Sequence, residues 1–326
     1  MPGSSPISCI YMALSDSQIV ERVRAGDHRV LSRVLTWCEN RDVRVREVQI
    51  ELYKSGGKSH VIGFTGPPGA GKSTLVDQIG HQLRKQGKKV AIIAVDPSSP
   101  FSGGAILGDR VRMNKSGDDS SIFIRSMATR GSLGGLARAT IDCIQIMDAA
   151  GFDYILVETV GVGQAEVDIV TAANTCAVVL MTGMGDGVQA IKAGILEIAD
   201  IFAVNKADRE GADLLFKDLR MLVSLVEFEA DAWRPEILKT IATKGEGAEE
   251  LLKQVERHTA WLAQSELGRK RKLQAIENII TNIVSDELMH AAIQRQRALL
   301  DRLVLKCFVK ECDPYSAARQ LVETKG

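Results

Sequence analysis

The sequence lacks several features that would place it in a familiar class of protein. Six cysteines are scattered among 326 residues with no CxxC pair, so neither a disulfide framework nor a cysteine-rich zinc site is expected. Cys307 and Cys312 stand five residues apart, but none of the five histidines joins them, and packing within helices is the favoured interpretation. This cysteine usage fits a reducing cytoplasm.

Long apolar runs and an excess of one charge are also missing. No run reaches the roughly 18 apolar residues that a membrane span requires, and the opening MPGSSPISCIYM lacks the pattern of a signal peptide. Lysine plus arginine number 41, and aspartate plus glutamate also number 41. A protein that binds nucleic acid by neutralising phosphates is strongly basic. We therefore expect a cytoplasmic protein with neither nucleic acid nor a membrane as a partner.

Composition and local pattern predict a packed protein that begins with helices. Hydrophobic residues make up 45% of the chain and charged residues 25%, which is typical of a globular core with a solvated surface. Residues 15–50 are predicted to form two helices, the first opened by a capping box of Ser15 and Gln18. Gly26 is predicted to end this helix, and Asp27 to cap the next.

From residue 60 onward, short and continuously apolar runs alternate with helical stretches. Such runs are typical of parallel strands that are covered on both faces of a sheet. The predicted strands are 61–65, 90–96, 121–125, 154–159, 176–183, 201–208 and 236–242. After about residue 245 the pattern is helical, with a last helix opened by Asp313 and Pro314. We predict an α/β fold with a helical extension over 1–55, a mainly parallel sheet domain over 56–263 and a helical region over 264–326.

The segment GPPGAGKS, residues 66–73, fits the phosphate-loop pattern GxxxxGK[ST] between a predicted strand and a predicted helix. Backbone N–H groups of such a loop turn towards phosphates, and the helix N-terminus adds partial positive charge. Lys72 is expected to contact the β- and γ-phosphates, and Ser73 to bind Mg²⁺. The alternative is a glycine-rich turn without a ligand. The predicted nucleotide-binding residues here are Gly66, Pro67, Pro68, Gly69, Ala70, Gly71, Lys72, Ser73 and Thr74.

The tetrapeptide NKAD, residues 205–208, predicts that the base is guanine. The Asp208 carboxylate can accept hydrogen bonds from N1–H and from the 2-amino group of guanine, and adenine offers neither donor there. Asn205 is expected to brace the loop, and the stem of Lys206 to lie along the base. A supporting loop follows the next strand at Ile241, Ala242 and Thr243, where a backbone N–H near Ala242 is expected to donate to guanine O6.

Three acids are candidates for a magnesium and water shell beside the phosphate loop. Glu158 and Asp96 end predicted strands, and Asp109 lies in a connection rich in glycine and proline. We assign Glu158 to the magnesium side and Asp96 to the attacking water, although each acid could instead be solvated or capping. Gly161 can turn its N–H towards the γ-phosphate. Gln164 lies six residues after Glu158, which argues against assigning it to orient the water.

Several long blocks of the sequence resemble the MeaB/ArgK-type G proteins, the group that includes the human methylmalonic aciduria type A protein. The resemblance extends from about residue 14 through nearly the whole chain. The most specific blocks are GPPGAGKST, VDPSSPFSGGAILGDRVRM, RGSLGGLA, ETVGVGQAEVDI, QAIKAGILEIADIFAVNKAD and DPYSAA.

The resemblance implies a P-loop GTPase of the SIMIBI branch, which it shares with signal-recognition and metal-insertion GTPases. It implies a homodimer held by the C-terminal helices, and a chaperone that gates adenosylcobalamin loading and protects or reactivates an acyl-CoA mutase, usually methylmalonyl-CoA mutase. Adenosylcobalamin then belongs to the mutase and is not bound directly. The family pattern also supports Mg²⁺ sites at Ser73, Asp96, Asp109 and Glu158, and a partner-responsive segment at 183–196. GTP hydrolysis is expected to be slow alone and to be stimulated by the partner, with Arg125, Arg130 or an arginine of the partner as the stimulating arginine.

Two positions depart from the family pattern, and other functions stay open. Ile241 precedes Ala242 where the family often has serine, and Gly187 stands where an acid is common. The alternatives are a kinase that acts on a small molecule or a transport protein, a metal-insertion GTPase, and a structural dimer that uses nucleotide only as a fold ligand. The scattered cysteines and histidines argue against metal insertion.

Overall fold

The computed structural model describes residues 14–96, 122–128, 133–159, 173–183 and 196–323. The chain divides into two compact units, of which the first ends at Gly268 and the second is Arg269–Gly326. The sheet and the predicted phosphate loop belong to the first unit. The finer division at residues 55/56 and 263/264 remains a prediction about domains.

The described strands of the first unit form one seven-stranded sheet in which all neighbouring strands are parallel. The strands are β1 His60–Thr65, β2 Val90–Asp96, β3 Ile122–Ala128, β4 Tyr154–Thr159, β5 Thr175–Leu180, β6 Ile201–Asn205 and β7 Glu236–Thr240. Their order is β3-β2-β4-β1-β5-β6-β7. β1 lies between β4 and β5, so the strands that follow it in the chain are placed on both sides of it. The carboxyl ends of these strands form a topological switch point, which is where α/β sheets bind ligands.

The parallel sheet that the sequence predicted is confirmed, with small changes at the strand ends. Every residue of β5 is buried, as expected for a strand covered on both faces. The predicted strands 176–183 and 201–208 end earlier, at Leu180 and Asn205. Residues 181–183 and 206–208 instead form loops at the carboxyl end of the sheet, which is where ligand-contacting residues are needed.

Helices cover both faces of the sheet. In the first unit they are α1 Asp16–Arg24, α2 His28–Glu39, α3 Val45–Tyr53, α4 Lys72–Lys85, α5 Leu133–Ala149, α6 Leu196–Ile198, α7 Ala212–Ser224 and α8 Ala248–Gln264. Buried side chains of α1, α2, α3 and α5 pack on one face, and those of α4 and α8 pack on the other. The side chains of α7 pack against β5 and β6. The N-terminal helices thus share a hydrophobic core with the sheet.

The N-terminal segment contains three helices, so the prediction of two over residues 15–50 is wrong in number. The predicted caps are confirmed: Ser15 and Gln18 form the capping box, Gly26 has a φ of 76°, and Asp27 accepts two backbone N–H groups at the start of α2. The break between α2 and α3 escaped prediction because Arg41, with a φ of 52°, occupies a left-handed position that usually calls for glycine.

The second unit is helical, as predicted. Its helices are α9 Glu266–Arg295, which begins in the first unit, α10 Arg297–Phe308 and α11 Pro314–Glu323. Asp313 caps α11 through a hydrogen bond from the Ser316 N–H to its Oδ1 at 2.9 Å, which confirms the predicted cap. No helix among the described residues is both long and apolar enough to cross a membrane.

Asp148, near the end of α5, fixes the connection that leads from α3 into β1. Its carboxylate accepts hydrogen bonds from the backbone N–H groups of Gly57, Lys58 at 3.0 Å and Ser59 at 2.7 Å. A Cβ at Gly56 would lie 2.8 Å from Oδ2 of Asp148, so the loop closes tightly on the carboxylate. One side chain thus satisfies three consecutive backbone donors immediately before the central strand.

We predict that Asp148→Ala lowers the free energy of unfolding of the first unit by about 1–3 kcal/mol, because backbone donors lose their charged acceptor. All three tryptophans, Trp37, Trp233 and Trp261, belong to the first unit, so denaturation of the full chain followed by tryptophan fluorescence measures this unit. Glu210→Ala, at an exposed position, is the control and should leave the midpoint unchanged. Equal midpoints for the two variants would contradict this role of Asp148.

Candidate functional site

The loop between β1 and α4 has the shape of a phosphate-binding loop. Gly66, Gly69 and Gly71 have φ values of 138°, 77° and 92°, which side chains other than glycine rarely adopt. A Cβ at Gly66 would lie 2.1 Å from the carbonyl oxygen of Val179, and one at Gly71 would lie 2.4 Å from Nδ2 of Asn205. The loop therefore approaches neighbouring strand ends too closely for a side chain. It leads directly into the N-terminus of α4, where anions are favoured.

Lys72, the first residue of α4, is buried against this loop. Its side chain is 6% exposed, and Nζ donates hydrogen bonds to the carbonyl oxygens of Gly66 at 2.6 Å and Pro67 at 3.1 Å. The fold thus places an ammonium group among the backbone groups of a glycine-rich turn. This is the arrangement that neutralises the phosphates of a nucleotide.

Ser73 and Glu158 place two oxygen ligands beside the same loop. The Ser73 hydroxyl donates to Oε1 of Glu158 at 2.5 Å. Glu158 is 5% exposed and lies in β4 opposite Phe64 of the central strand. Hydroxyl and carboxylate oxygens suit Mg²⁺, which commonly takes one or two protein ligands together with phosphate oxygens. The pair fits such an ion, and no group of three or more His, Cys, Asp or Glu side chains in the described ranges could hold a metal alone.

The buried side chain of Asn205, at the end of β6, links two loops. Its Nδ2 donates to the carbonyl oxygen of Ala70 in the phosphate loop at 2.8 Å. Its Oδ1 accepts from the Ala242 N–H at 3.1 Å and from the Thr240 hydroxyl at 3.1 Å. The predicted bracing role of Asn205 thus has a specific geometry in which one amide holds the phosphate loop and the loop after β7 together.

The chain turns sharply after Asn205 and presents Asp208 to solvent. Lys206 has a φ of 56°, and its Nζ donates to the carbonyl oxygen of Gly69 at 2.7 Å. The Ala207 N–H donates to the carbonyl oxygen of Thr240 at 3.1 Å. The predicted phosphate loop and the NKAD segment are therefore in direct contact, with the Asp208 side chain exposed beyond them.

The structure narrows the prediction that a backbone N–H near Ala242 donates to guanine O6. This N–H already donates to Asn205, and Ala242 is 3% exposed. It therefore supports the loop from within and does not face a ligand. Thr243, the next residue of the short 3₁₀ turn Ala242–Lys244, takes its place as the candidate backbone donor.

Part of the predicted site lies outside the described residues. Asp109 and Gly161 are not among them, and neither are Gln164, Arg130 and Gly187. The glycine- and proline-rich connection that holds Asp109 lies outside as well, and so does most of the partner-responsive segment 183–196. The backbone of Asp96 ends β2, as predicted, and it pairs with β3 at the carboxyl edge of the sheet. The water-positioning role of its side chain stays a prediction.

Arg125 does not fit the role of a stimulating arginine. It lies in the middle of β3, and its Nε donates to Oε1 of Glu39 at 2.7 Å while Nη2 donates to the Thr36 hydroxyl at 3.0 Å. Both partners belong to α2, so the guanidinium serves to fasten the N-terminal helices to the sheet. Its partly buried ion pair explains the residue without any catalytic function.

Sequence reasoning missed Thr240, which completes the bracket around the Asn205 amide. Its hydroxyl is buried and donates to Oδ1 of Asn205, and its carbonyl oxygen accepts from Ala207. The sequence did offer a signal for this role, because Thr240 is a hydroxyl residue at the carboxyl end of a predicted strand, directly before the predicted guanine loop.

Comparison with known proteins supports a GTPase. The family model described as methylmalonyl Co-A mutase-associated GTPase MeaB matches residues 31–297. A protein of Pyrococcus abyssi that is named as a GTPase is 45% identical over 315 residues, which covers 94% of this chain and 95% of that protein. The mouse mitochondrial methylmalonic aciduria type A homolog is 34% identical, covering 86% of this chain and 73% of its own.

A solved structure supports the fold. The crystal structure of an LAO/AO transport system kinase superposes with a TM-score of 0.71 at 24% identity, covering 94% of this chain and 96% of the other. This likeness, the parallel sheet and the glycine-shaped phosphate loop establish an α/β P-loop NTPase fold. Together with the family match over residues 31–297, they show that the chain belongs to the MeaB family of GTPases.

Proposed function

We propose that this GTPase is a chaperone of an adenosylcobalamin-dependent acyl-CoA mutase, with methylmalonyl-CoA mutase as the first candidate client. In this proposal it gates cofactor loading and protects or reactivates the mutase, while adenosylcobalamin belongs to the partner. The observation that carries the proposal is the match of residues 31–297 to the mutase-associated family, joined to a phosphate loop and NKAD segment in direct contact. The family match does not favour the kinase or metal-insertion alternatives.

The phosphate end of the site would work by electrostatics. Lys72 would exchange the carbonyl oxygens of Gly66 and Pro67 for the β- and γ-phosphate oxygens. Ser73 and Glu158 would hold Mg²⁺, which supplies positive charge where phosphate oxygens become more negative. Asp96 and Asp109 would complete the ion and water shell, with the Gly161 N–H on the γ-phosphate. A buried carboxylate 2.5 Å from the serine hydroxyl supports the assignment of Glu158.

The base end of the site would select guanine through Asp208. The exposed carboxylate follows a turn that Lys206 and Asn205 hold against the phosphate loop, which supports a base site close to the phosphate site. A carboxylate accepts both the N1–H and the 2-amino donors of guanine, and it would be left without partners opposite adenine. Backbone N–H groups around Thr243 would donate to O6, with Ile241 and Ala242 shaping that loop.

We predict that Asp208→Asn lowers GTP affinity by at least about tenfold, because the carboxamide can no longer accept both guanine donors. The same change should raise affinity for xanthosine triphosphate, whose 2-oxo group can accept from the new amide. Titration calorimetry with both nucleotides measures this exchange. Asp213→Asn is the control, since that exposed carboxylate belongs to a surface ion pair with Lys239. Unchanged GTP affinity in Asp208→Asn would overturn the guanine assignment.

We also predict that GTP turnover of the isolated chain is slow and rises at least about tenfold with the client mutase, within the range that partner proteins achieve in other GTPases. The basis is the sequence, in which Gln164 lies six residues after Glu158 and is therefore not assigned to orient the attacking water. Turnover is measured with and without purified methylmalonyl-CoA mutase, using Lys72→Ala as the inactive control. The chaperone role is contradicted if no acyl-CoA mutase that is tested stimulates turnover or co-purifies with the chain. That result would leave the assignment as a GTPase unchanged.

The second unit supports a homodimer. Among its described residues only Leu303 and Ala317 are buried hydrophobic side chains. One face of α9 instead exposes apolar side chains at spacings of three and four residues: Leu273, Ile276, Ile280, Val284 and Leu288. Such a stripe is typical of a helix that packs against another helix. We propose that a second copy of the chain covers it.

Ile280→Glu should therefore convert a dimer of the 35.4 kDa chain to a monomer in sedimentation velocity, because the stripe then carries a charge at its centre. Asn278→Glu places the same charge two positions away on an already polar part of the helix, and it should leave the dimer intact. A monomeric wild type, or equal sedimentation of both variants with the wild type, would contradict dimerisation through this stripe.

A further inference from the structure

The connection between α10 and α11 reverses the chain in a fixed conformation. Lys310 has a φ of 59°, the Lys310 N–H donates to the carbonyl oxygen of Cys307 at 3.1 Å, and the Glu311 N–H donates to that of Lys306 at 2.9 Å. This pair of bonds is the Schellman ending of a helix. Asp313 then caps α11, so the turn is held by hydrogen bonds at both ends.

This reversal brings two thiols together. Cys307 lies in the last turn of α10, and Cys312 follows the left-handed turn immediately before the cap of α11. The Cys307 and Cys312 thiols are neighbours that interact electrostatically. The Cys312 thiol also contacts the carbonyl oxygen of Asp313 at 3.4 Å. The pair therefore lies at a surface turn. The expectation that both cysteines pack within helices holds for Cys307 but not for Cys312, which lies in the turn.

Exposure distinguishes this pair from the other described cysteines. Cys307 and Cys312 are both partly exposed, whereas Cys38, Cys143 and Cys176 are buried. The neighbouring Cys38 thiol and burial raise the pKa of the Cys143 thiol well above its usual value. The described residues thus include one accessible thiol pair, Cys307 and Cys312, and one buried pair, Cys38 and Cys143, from two separate helices.

We propose that Cys307 and Cys312 form a redox modification site, at which a small-molecule disulfide of the glutathione disulfide class oxidises the two thiols to an intramolecular disulfide. This proposal is independent of the proposed chaperone role. In the cytoplasm a disulfide of this kind is transient and reports oxidation rather than holding the fold together.

The reaction proceeds by two thiol–disulfide exchanges. The thiolate of Cys312 attacks one sulfur of the small disulfide, whose S–S bond breaks, and the first small thiolate leaves and takes up the proton that Cys312 lost. The thiolate of Cys307 then attacks the Cys312 sulfur, and the second small thiolate leaves with the proton from Cys307. The protein loses two hydrogen atoms, and the small disulfide is reduced to two thiols.

The surroundings of Cys307 favour this order of attack. Burial raises the pKa of the Cys307 thiol, and the neighbouring Cys312 and Asp313 raise it further. A thiol with a raised pKa carries less thiolate near neutral pH and is a poorer first nucleophile. Once Cys312 is in the mixed disulfide, the adjacent Cys307 reacts within the same molecule, where its high local concentration compensates for its lower reactivity.

The site can be tested on the full chain in a Cys9→Ser background, because Cys9 lies outside the described residues. The protein is incubated with excess glutathione disulfide, alkylated, digested with trypsin without reduction and analysed by mass spectrometry. Cleavage after Lys306, Lys310 and Arg319 separates peptides 307–310 and 311–319. We expect these peptides to be joined, with a loss of two hydrogen atoms, and to separate on reduction.

Single variants and the buried pair provide the controls. Cys307→Ser should stop at a stable mixed disulfide of glutathione with Cys312, whereas the parent chain should not retain glutathione. Cys38 and Cys143 should stay reduced and should become alkylated only after denaturation. The proposal is overturned if Cys307 and Cys312 remain alkylatable after oxidation, if the parent chain retains glutathione, or if the only disulfide joins two chains.

Discussion

The carboxamide of Asn205 is the interaction on which the proposed nucleotide site depends. It is 1% exposed, and it holds the phosphate loop through Ala70 and the loop after β7 through Ala242 and Thr240. A Cβ at Gly71 would collide with this amide, so the amide can hold the phosphate loop in this way only if residue 71 is glycine. The parallel strand order brings these loops to one edge, and the amide then fixes the distance between the phosphate loop and the loop after β7. Catalysis by charge requires this fixed distance.

Much of this architecture follows from local patterns. The central strands are apolar throughout, and the phosphate loop is bounded by a strand and a helix, so both could be predicted. The third N-terminal helix could not, because Arg41 adopts a left-handed φ that its residue type does not signal. The sequence could place the expected guanine O6 donor only near Ala242, because the hydrogen bond from the Ala242 N–H to Asn205 is visible only in the tertiary structure. Sequence indicates which loops meet, whereas the direction of each N–H depends on packing.

The two units differ in the way they are stabilised. The first has apolar cores on both faces of its sheet, and polar contacts such as the Asp148 carboxylate and the Arg125–Glu39 ion pair fasten its helices and loops. The second exposes most of its large apolar side chains, which suits a surface for another chain. Nucleotide binding thus belongs to a well-packed unit, and the proposed partner contacts and thiol chemistry to a helical unit with a small core.

The central claim is that the loop between β1 and α4, with Glu158 beside it, is a magnesium and phosphate site. The most direct measurement is a structure with a non-hydrolysable GTP analogue and Mg²⁺. The account predicts that Lys72 Nζ leaves the carbonyl oxygens of Gly66 and Pro67 for phosphate oxygens, and that the metal separates the Ser73 hydroxyl from Glu158. A bound nucleotide that leaves the Lys72 bonds and the 2.5 Å contact between Ser73 and Glu158 unchanged would contradict it.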